Sequence, residues 1–155
     1  MKAMIFAAGL GTRLRPLTNN KPKALVEVKG KPLLEYCIRR LKFFGCTDII
    51  VNIHHFGKQI ISFLEKNNNF GINISISDER DLLLNTGGGL KKAASFFGES
   101  EDFLVVNVDI LHNIGSTSEP FIETYFSYYN KTACKCSHYY YDENYICMWH
   151  TKDNL

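Results

Sequence analysis

Between Ala7 and Leu25 the chain reads Ala7-Ala-Gly-Leu-Gly-Thr-Arg-Leu-Arg-Pro-Leu-Thr18, followed by Lys21-Pro-Lys-Ala-Leu25. Two glycines set two apart, directly after an apolar stretch, let backbone N–H groups come close to phosphate oxygens. Arg13, Arg15 and Lys23 add cations beside that loop. Guanidinium forks and an ammonium suit a triphosphate and a departing pyrophosphate. The spacing excludes two other phosphate loops. The third glycine of the dinucleotide fingerprint G-x-G-x-x-G is Leu14 here, and no G-x-x-x-x-G-K-[ST] string occurs. A glycine turn with solvated basic residues is the plain reading of any lone G-x-G. The full string, with Arg13, Arg15 and Lys23 beside the loop, is hard to explain that way.

Two further features belong to the same chemistry. Thr86-Gly-Gly-Gly89 reads as a second glycine loop, and Asp109 closes the apolar run Phe103 to Val108. A carboxylate at the carboxyl end of a strand can reach a phosphate-bound Mg²⁺, which prefers oxygen ligands. Other candidates are weaker. His54-His55 reads as a surface strand end more readily than as a ligand contact. Asp78-Glu-Arg-Asp81 reads as a charged, solvated turn more readily than as a support for the second loop. The tyrosines around Tyr139 read as core before they read as a sugar-stacking platform. Of the five cysteines only Cys134 and Cys136 lie close together. No second well-spaced pair flanks them, so free thiols are the better reading than zinc. No Ser/His/Asp or Cys/His set suggests a protein nucleophile.

The elements that must position these residues alternate along the chain. Lys2 to Ala8 is an apolar strand ending in the first glycine loop. Pro32 can start a helix; Leu34, Cys37, Ile38 and Leu41 recur at helical spacing, and Gly45 can end it. Ile49 to Ile53 is a strand apolar enough to be buried on both faces. Phe56 to Lys66 is an amphipathic helix with Ile60, Ile61 and Leu64 inward, broken by Asn67-Asn-Asn69. Ile72, Ile74 and Ile76 alternate with polar residues, as in a half-buried strand. Leu90 to Phe97 is a short helix, and Phe103 to Val108 another buried strand. This alternation predicts an α/β, Rossmann-like fold: a mostly parallel sheet with helices on both faces. In such sheets ligands bind outside the carboxyl ends of the strands. The Gly9–Arg13 loop, the Thr86–Gly89 loop and Asp109 all fall at that edge. Beyond Asp109 the pattern weakens: Glu119 to Tyr129 is a candidate helix, and Ser137 to Trp149 can hold strands.

The bulk composition agrees. The chain has 155 residues, 45% hydrophobic and 22% charged, with net charge +2, an ordinary mix for one soluble domain. So small a charge gives no basis for nucleic-acid or membrane-surface binding. The longest apolar runs fall far short of a membrane span. The first eight residues read as a strand rather than a leader. The expectation is a cytoplasmic protein with reduced thiols.

The residues quoted so far resemble the sugar-1-phosphate nucleotidyltransferase family. Ala7 to Thr18 with Pro22-Lys23 is similar to its signature G-x-G-x-R-x-x-P-L-T…P-K. Gly30-Lys-Pro-Leu-Leu-Glu35, Leu84-Asn-Thr-Gly-Gly-Gly89 and Asn107-Val-Asp109 resemble three later family segments in order. The resemblance implies a nucleotide-diphospho-sugar transferase type of fold and transfer of a nucleoside monophosphate from a nucleoside triphosphate to a sugar 1-phosphate. It implies that Ala8, Gly9, Gly11 and Thr12 line the nucleotide, and that Gly87 and Gly88 approach the base. Arg13 would bind the β- and γ-phosphates and Lys23 would lie near the α-phosphate. Asn107 would touch the sugar phosphate, and Asp109 would hold the Mg²⁺ cofactor.

The resemblance covers roughly residues 1–115. Residues 1–155 are read as a single domain: 1–115 a nucleotide-binding half and 116–155 the start of an acceptor-sugar half that is incomplete. Lys131 to Ser137 is short by several residues against the family pattern. A fragment, a deletion or a decayed gene product would explain both departures. The expectation is therefore a chain that binds a triphosphate but turns over poorly, with uncovered apolar surface favouring self-association. Two functions compete: an active transferase, favoured by Arg13, Lys23 and Asp109 together, and a non-catalytic nucleotide-binding or regulatory module on the same scaffold. A dinucleotide-dependent oxidoreductase is a distant third, because of Leu14.

Overall fold

The computed structural model describes residues 1–98, 102–109 and the strand 146–150. Four parallel strands form the centre: β1 (Lys2–Phe6), β4 (Asp48–Ile53), β5 (Asn73–Asp78) and β6 (Asp102–Asn107). A two-stranded hairpin, β2 (Glu27–Val28) and β3 (Lys31–Pro32), lies apart from them. The main sheet runs in the order β5-β4-β1-β6-β7, where β7 (Ile146–His150) pairs antiparallel with β6. The α/β, mostly parallel architecture expected from the sequence is the one observed.

Chain direction decides which face each helix covers. From β1 the chain steps outward through α1 (Leu33–Phe43) to β4 and through α2 (Gly57–Lys66) to β5. It then reverses, passing through α3 (Asn85–Lys92) and α4 (Ala94–Phe97) to reach β6 on the far side of β1. Crossovers between parallel strands are right-handed, so helices on outward and return paths lie on opposite faces. Two cores record this. Leu34, Ile38 and Leu41 of α1 and Ile60 and Leu64 of α2 pack with Ala3, Ile5, Ile49, Val51 and Leu104. Leu90 of α3 and Phe97 of α4 pack with Met4, Ile50, Phe103 and Val105. There the Phe97 and Phe103 rings stack 3.7 Å apart, 15° from parallel.

Local chemistry sets the connections. Lys29 and Gly30 both have positive φ, 48° and 76°, the requirement of a two-residue hairpin turn whose twist suits its strands. Pro32 thus pairs in β3 and immediately precedes α1 rather than opening it. Asn68, Asn69 and Phe70 also have positive φ, which ends the helix at the asparagine run as expected. The glycine run departs from expectation. Thr86–Gly89 is not a loop but the first turn of α3, and a break at Ala93 divides the expected Leu90–Phe97 helix. Among the described residues no helix is long and apolar enough to cross a membrane. The Glu119–Tyr129 helix, the tyrosines around Tyr139 and the expected division at 115 fall outside the described residues, apart from β7.

Candidate active site

Strand order reverses at β1, and in this architecture ligands bind in a crevice outside the carboxyl edge at such a reversal. β1 delivers Ala7 and Ala8 there, both buried. Their N–H groups donate to Asn52 Oδ1 of β4 at 2.7 and 3.2 Å. The loop then turns outward. Gly11 sits at φ +65°, and its carbonyl accepts from the buried Thr18 hydroxyl at 2.8 Å and from Leu14 N–H at 3.0 Å. A single 3₁₀ turn, Thr12–Leu14, leaves Thr12 and Arg13 exposed. A second 3₁₀ turn, Lys23–Leu25, follows Pro22 and brings Lys23 back across the loop.

The Lys23 side chain passes over both glycines but crowds only Gly11. A Cβ on Gly9 would stand 3.5 Å from Lys23 Nζ, and one on Gly11 would stand 3.2 Å from Lys23 Cβ and 3.0 Å from Thr18 Cγ2. Lys23 Nζ lies 3.0 Å from Asp109 Oδ1. Asp109 follows β6, anchored by Val108 N–H donating to Phe6 carbonyl at 3.2 Å. Three sequence segments, 7–13, 21–25 and 107–109, therefore meet at one point. Beneath them Cys37 of α1 directs its Sγ at the Val108 carbonyl, 3.6 Å away. Burial, reinforced by Asp109, pushes this thiol up to about 12. It is inert packing rather than a nucleophile.

The glycine run lies against the other side of the crevice. α3 begins at Asn85, which has φ +58°. Gly87 is exposed, with nothing within 4 Å of a Cβ placed there. A Cβ on Gly88 would lie 2.9 Å from Leu84 Cβ, and one on Gly89 only 2.7 Å from Glu79 Oε1. Asn107 is half-buried on β6, in register with Phe6, which is itself in register with Asn52. By strand parity this row faces α3.

Two residues at the site stand against the favoured sequence reading, although support of the second glycine loop is the alternative for Asp78–Asp81. Glu79, expected in a solvated turn, is 1% exposed. Its Oε1 accepts from Asn52 Nδ2 at 2.8 Å and its Oε2 from Leu84 N–H at 3.2 Å. Asn52 was hidden inside an apolar run. The available signal was its polarity: a strand buried on both faces leaves no amide without a partner. The histidines separate. His54 Nδ1 lies 2.6 Å from the Glu79 carbonyl, while exposed His55 rests against the Phe56 ring. Arg80 pairs outward with Asp78 and holds that carboxyl below its usual range.

Residues 2–143 match the profile of the nucleotidyl transferase family. Over 118 residues the chain is 45% identical to N-acetylmuramate alpha-1-phosphate uridylyltransferase of Neisseria meningitidis serogroup B, covering 76% of this chain and 51% of the relative. Over 109 residues it is 47% identical to the protein of that name from Caulobacter vibrioides, covering 69% and 45%. It is also similar to the solved CTP:phosphocholine cytidylyltransferase of Streptococcus pneumoniae, at 37% identity and TM-score 0.57, over 73% of this chain and 47% of that one. The chain spans about half the length of the curated relatives it matches. A glycine loop, a lysine and a strand-end aspartate meet where a doubly wound sheet binds ligands, within the matched residues 2–143: the chain belongs to the nucleotidyl transferase family.

Proposed function

We propose that this edge binds a nucleoside triphosphate and transfers its nucleotidyl group to a sugar 1-phosphate, releasing pyrophosphate. The observation that carries the reading is the Lys23–Asp109 contact laid over Gly9 and Gly11. It gathers a backbone phosphate cradle, a cation and a hard anionic ligand within one contact distance. Both substrates are anionic, so the protein's contribution is charge neutralisation and alignment. An oxygen of the acceptor phosphate attacks the α-phosphorus in line while the bond to the bridging oxygen breaks and pyrophosphate leaves. Lys23 is suited to the α-phosphate, and exposed Arg13 to the β- and γ-phosphates. Ala8, Gly9, Gly11 and Thr12 offer backbone to the nucleotide, the Gly87–Gly88 turn offers N–H groups to the base, and Asn107 is suited to the sugar phosphate.

Asp109 fits Mg²⁺. Its carboxylate is partly exposed at the crevice, and among the described residues no cluster of three ligating side chains converges. An ion here would draw its other ligands from phosphate oxygens and water, the common arrangement for Mg²⁺. When bound, such an ion supplies charge neutralisation at the phosphates. Free, buried Cys37 and Cys46 support a cytoplasmic, reducing setting.

The test is pyrophosphate release with UTP, CTP and GTP against a panel of sugar 1-phosphates and phosphocholine, beside calorimetry of triphosphate binding. Arg13→Ala and Lys23→Ala should each lower turnover about a hundredfold. Near-parental turnover in both would sink the reading. Tight binding without release would assign the chain to the non-catalytic alternative.

A further inference from the structure

The hydrogen bonds of Asn52 and Glu79 form one continuous chain across the crevice floor. Ala7 and Ala8 N–H donate to Asn52 Oδ1, Asn52 Nδ2 donates to Glu79 Oε1, and Leu84 N–H donates to Glu79 Oε2. Both side chains are buried, 2% and 1% exposed. One end of the chain holds the backbone that enters the first glycine loop. The other end holds the residue just before α3. Gly89 is drawn so close to the middle of it that no Cβ fits. Burying a carboxyl and an amide in a sheet costs free energy that an apolar pair would avoid. The arrangement also has a polarity. An amide must accept from the loop and donate to the carboxylate, whose two oxygens then both accept.

We propose that Asn52 and Glu79 are positioning residues: a buried strut that sets the first glycine loop and the α3 N-terminus at a fixed separation, so that phosphates and base are gripped together. This rests on the function proposed above. Neither side chain touches the nucleotide in that reading; each acts through the backbone it holds.

Polarity supplies the test. Asn52→Asp sets two carboxylates face to face. Glu79→Gln sets one donor against another, either at Asn52 or at Leu84 N–H. In the double variant the count closes again. The new carboxylate accepts from Ala7 and Ala8, while the new amide donates to it and accepts from Leu84. Each single variant should raise the triphosphate Kd about tenfold or more. In steady state each should raise KM for the triphosphate more than KM for the acceptor. The double variant should return within about threefold of the parent. Amide hydrogen exchange on the ligand-free full chain reads the strut without any nucleotide. Asn52→Asp, whose mismatch lies at the middle, should lose protection at Ala7, Ala8 and Leu84 together; Glu79→Gln should lose it on at least one side, and the double variant should regain it.

Parental affinity in both singles, no rescue in the double, or loss of protection on one side only in Asn52→Asp would overturn the strut. A parent that binds no triphosphate would sink the functional reading instead. The exchange pattern would still decide the strut.

Discussion

The Gly9–Gly11 stretch and the Gly87–Gly89 run look alike in sequence, yet they require glycine for different reasons. In the first, Gly11 turns the backbone left-handed, and Lys23 and Thr18 pack directly over it. In the second, the backbone is ordinary helix. The constraint at Gly88 and Gly89 is room, since Leu84 and Glu79 occupy the space a Cβ needs, whereas Gly87 faces open space. One stretch is defined by its dihedrals, the other by what it leans on. A glycine can therefore mark a left-handed turn or a helix pressed against a buried carboxyl, and the letter alone does not distinguish them.

Alanine substitutions separate these causes. Gly89→Ala should have the largest effect. Overpacking costs about 1–3 kcal/mol, and displacing Glu79 from its buried partners adds a cost of similar size. Better helix propensity returns only about 1 kcal/mol, so a net loss of about 3 kcal/mol is expected in urea unfolding. A neutral result would mean that α3 sits further from β4 than described.

Gly11→Ala should come next, at about 1–2 kcal/mol for a left-handed alanine. Its triphosphate affinity should fall as well, since Thr18 and Lys23 must both shift. Parental stability would show that the loop has another conformation open to it and that Gly11 is not held there by its dihedrals.

Gly87→Ala should have the smallest effect and the opposite sign. It lies in a helix with space around it, so the fold should gain about 1 kcal/mol while triphosphate affinity falls several-fold. A gain in stability with unchanged affinity would remove Gly87 from the nucleotide site and leave its helical role intact.

Most of the scaffold was legible in the sequence because its signals are local. β4 and β6 are short apolar runs, and α1 and α2 carry apolar residues at helical spacing. Their alternation leaves few topologies, and the parallel sheet brings Gly9, Lys23 and Asp109 to one edge. The misreadings have a shared physical source. Each of three successive glycines disfavours helix by about 1 kcal/mol, so Thr86–Gly89 reads as loop until packing against Glu79 is known. Glu79 reads as solvated because Asp78, Arg80 and Asp81 beside it are charged. Its burial comes from Asn52, twenty-seven residues away in the chain. Long-range polar pairing leaves no periodic trace. A polar residue inside a doubly buried strand gives the one local hint.

The register of β1 also has a consequence in time. Its first partner, β4, pairs Asp48 with Lys2, while its second partner, β6, pairs Phe103 with the same residue. Translation proceeds at about 5–20 residues per second, so one edge of β1 waits roughly 3–11 s longer than the other on the ribosome. For that interval Ala3, Met4 and Ile5 present an apolar strand with unmade hydrogen bonds, the kind of edge chaperones shield. Asp109 follows β6 in the chain, so its contact with Lys23 cannot form before β6 has been synthesised.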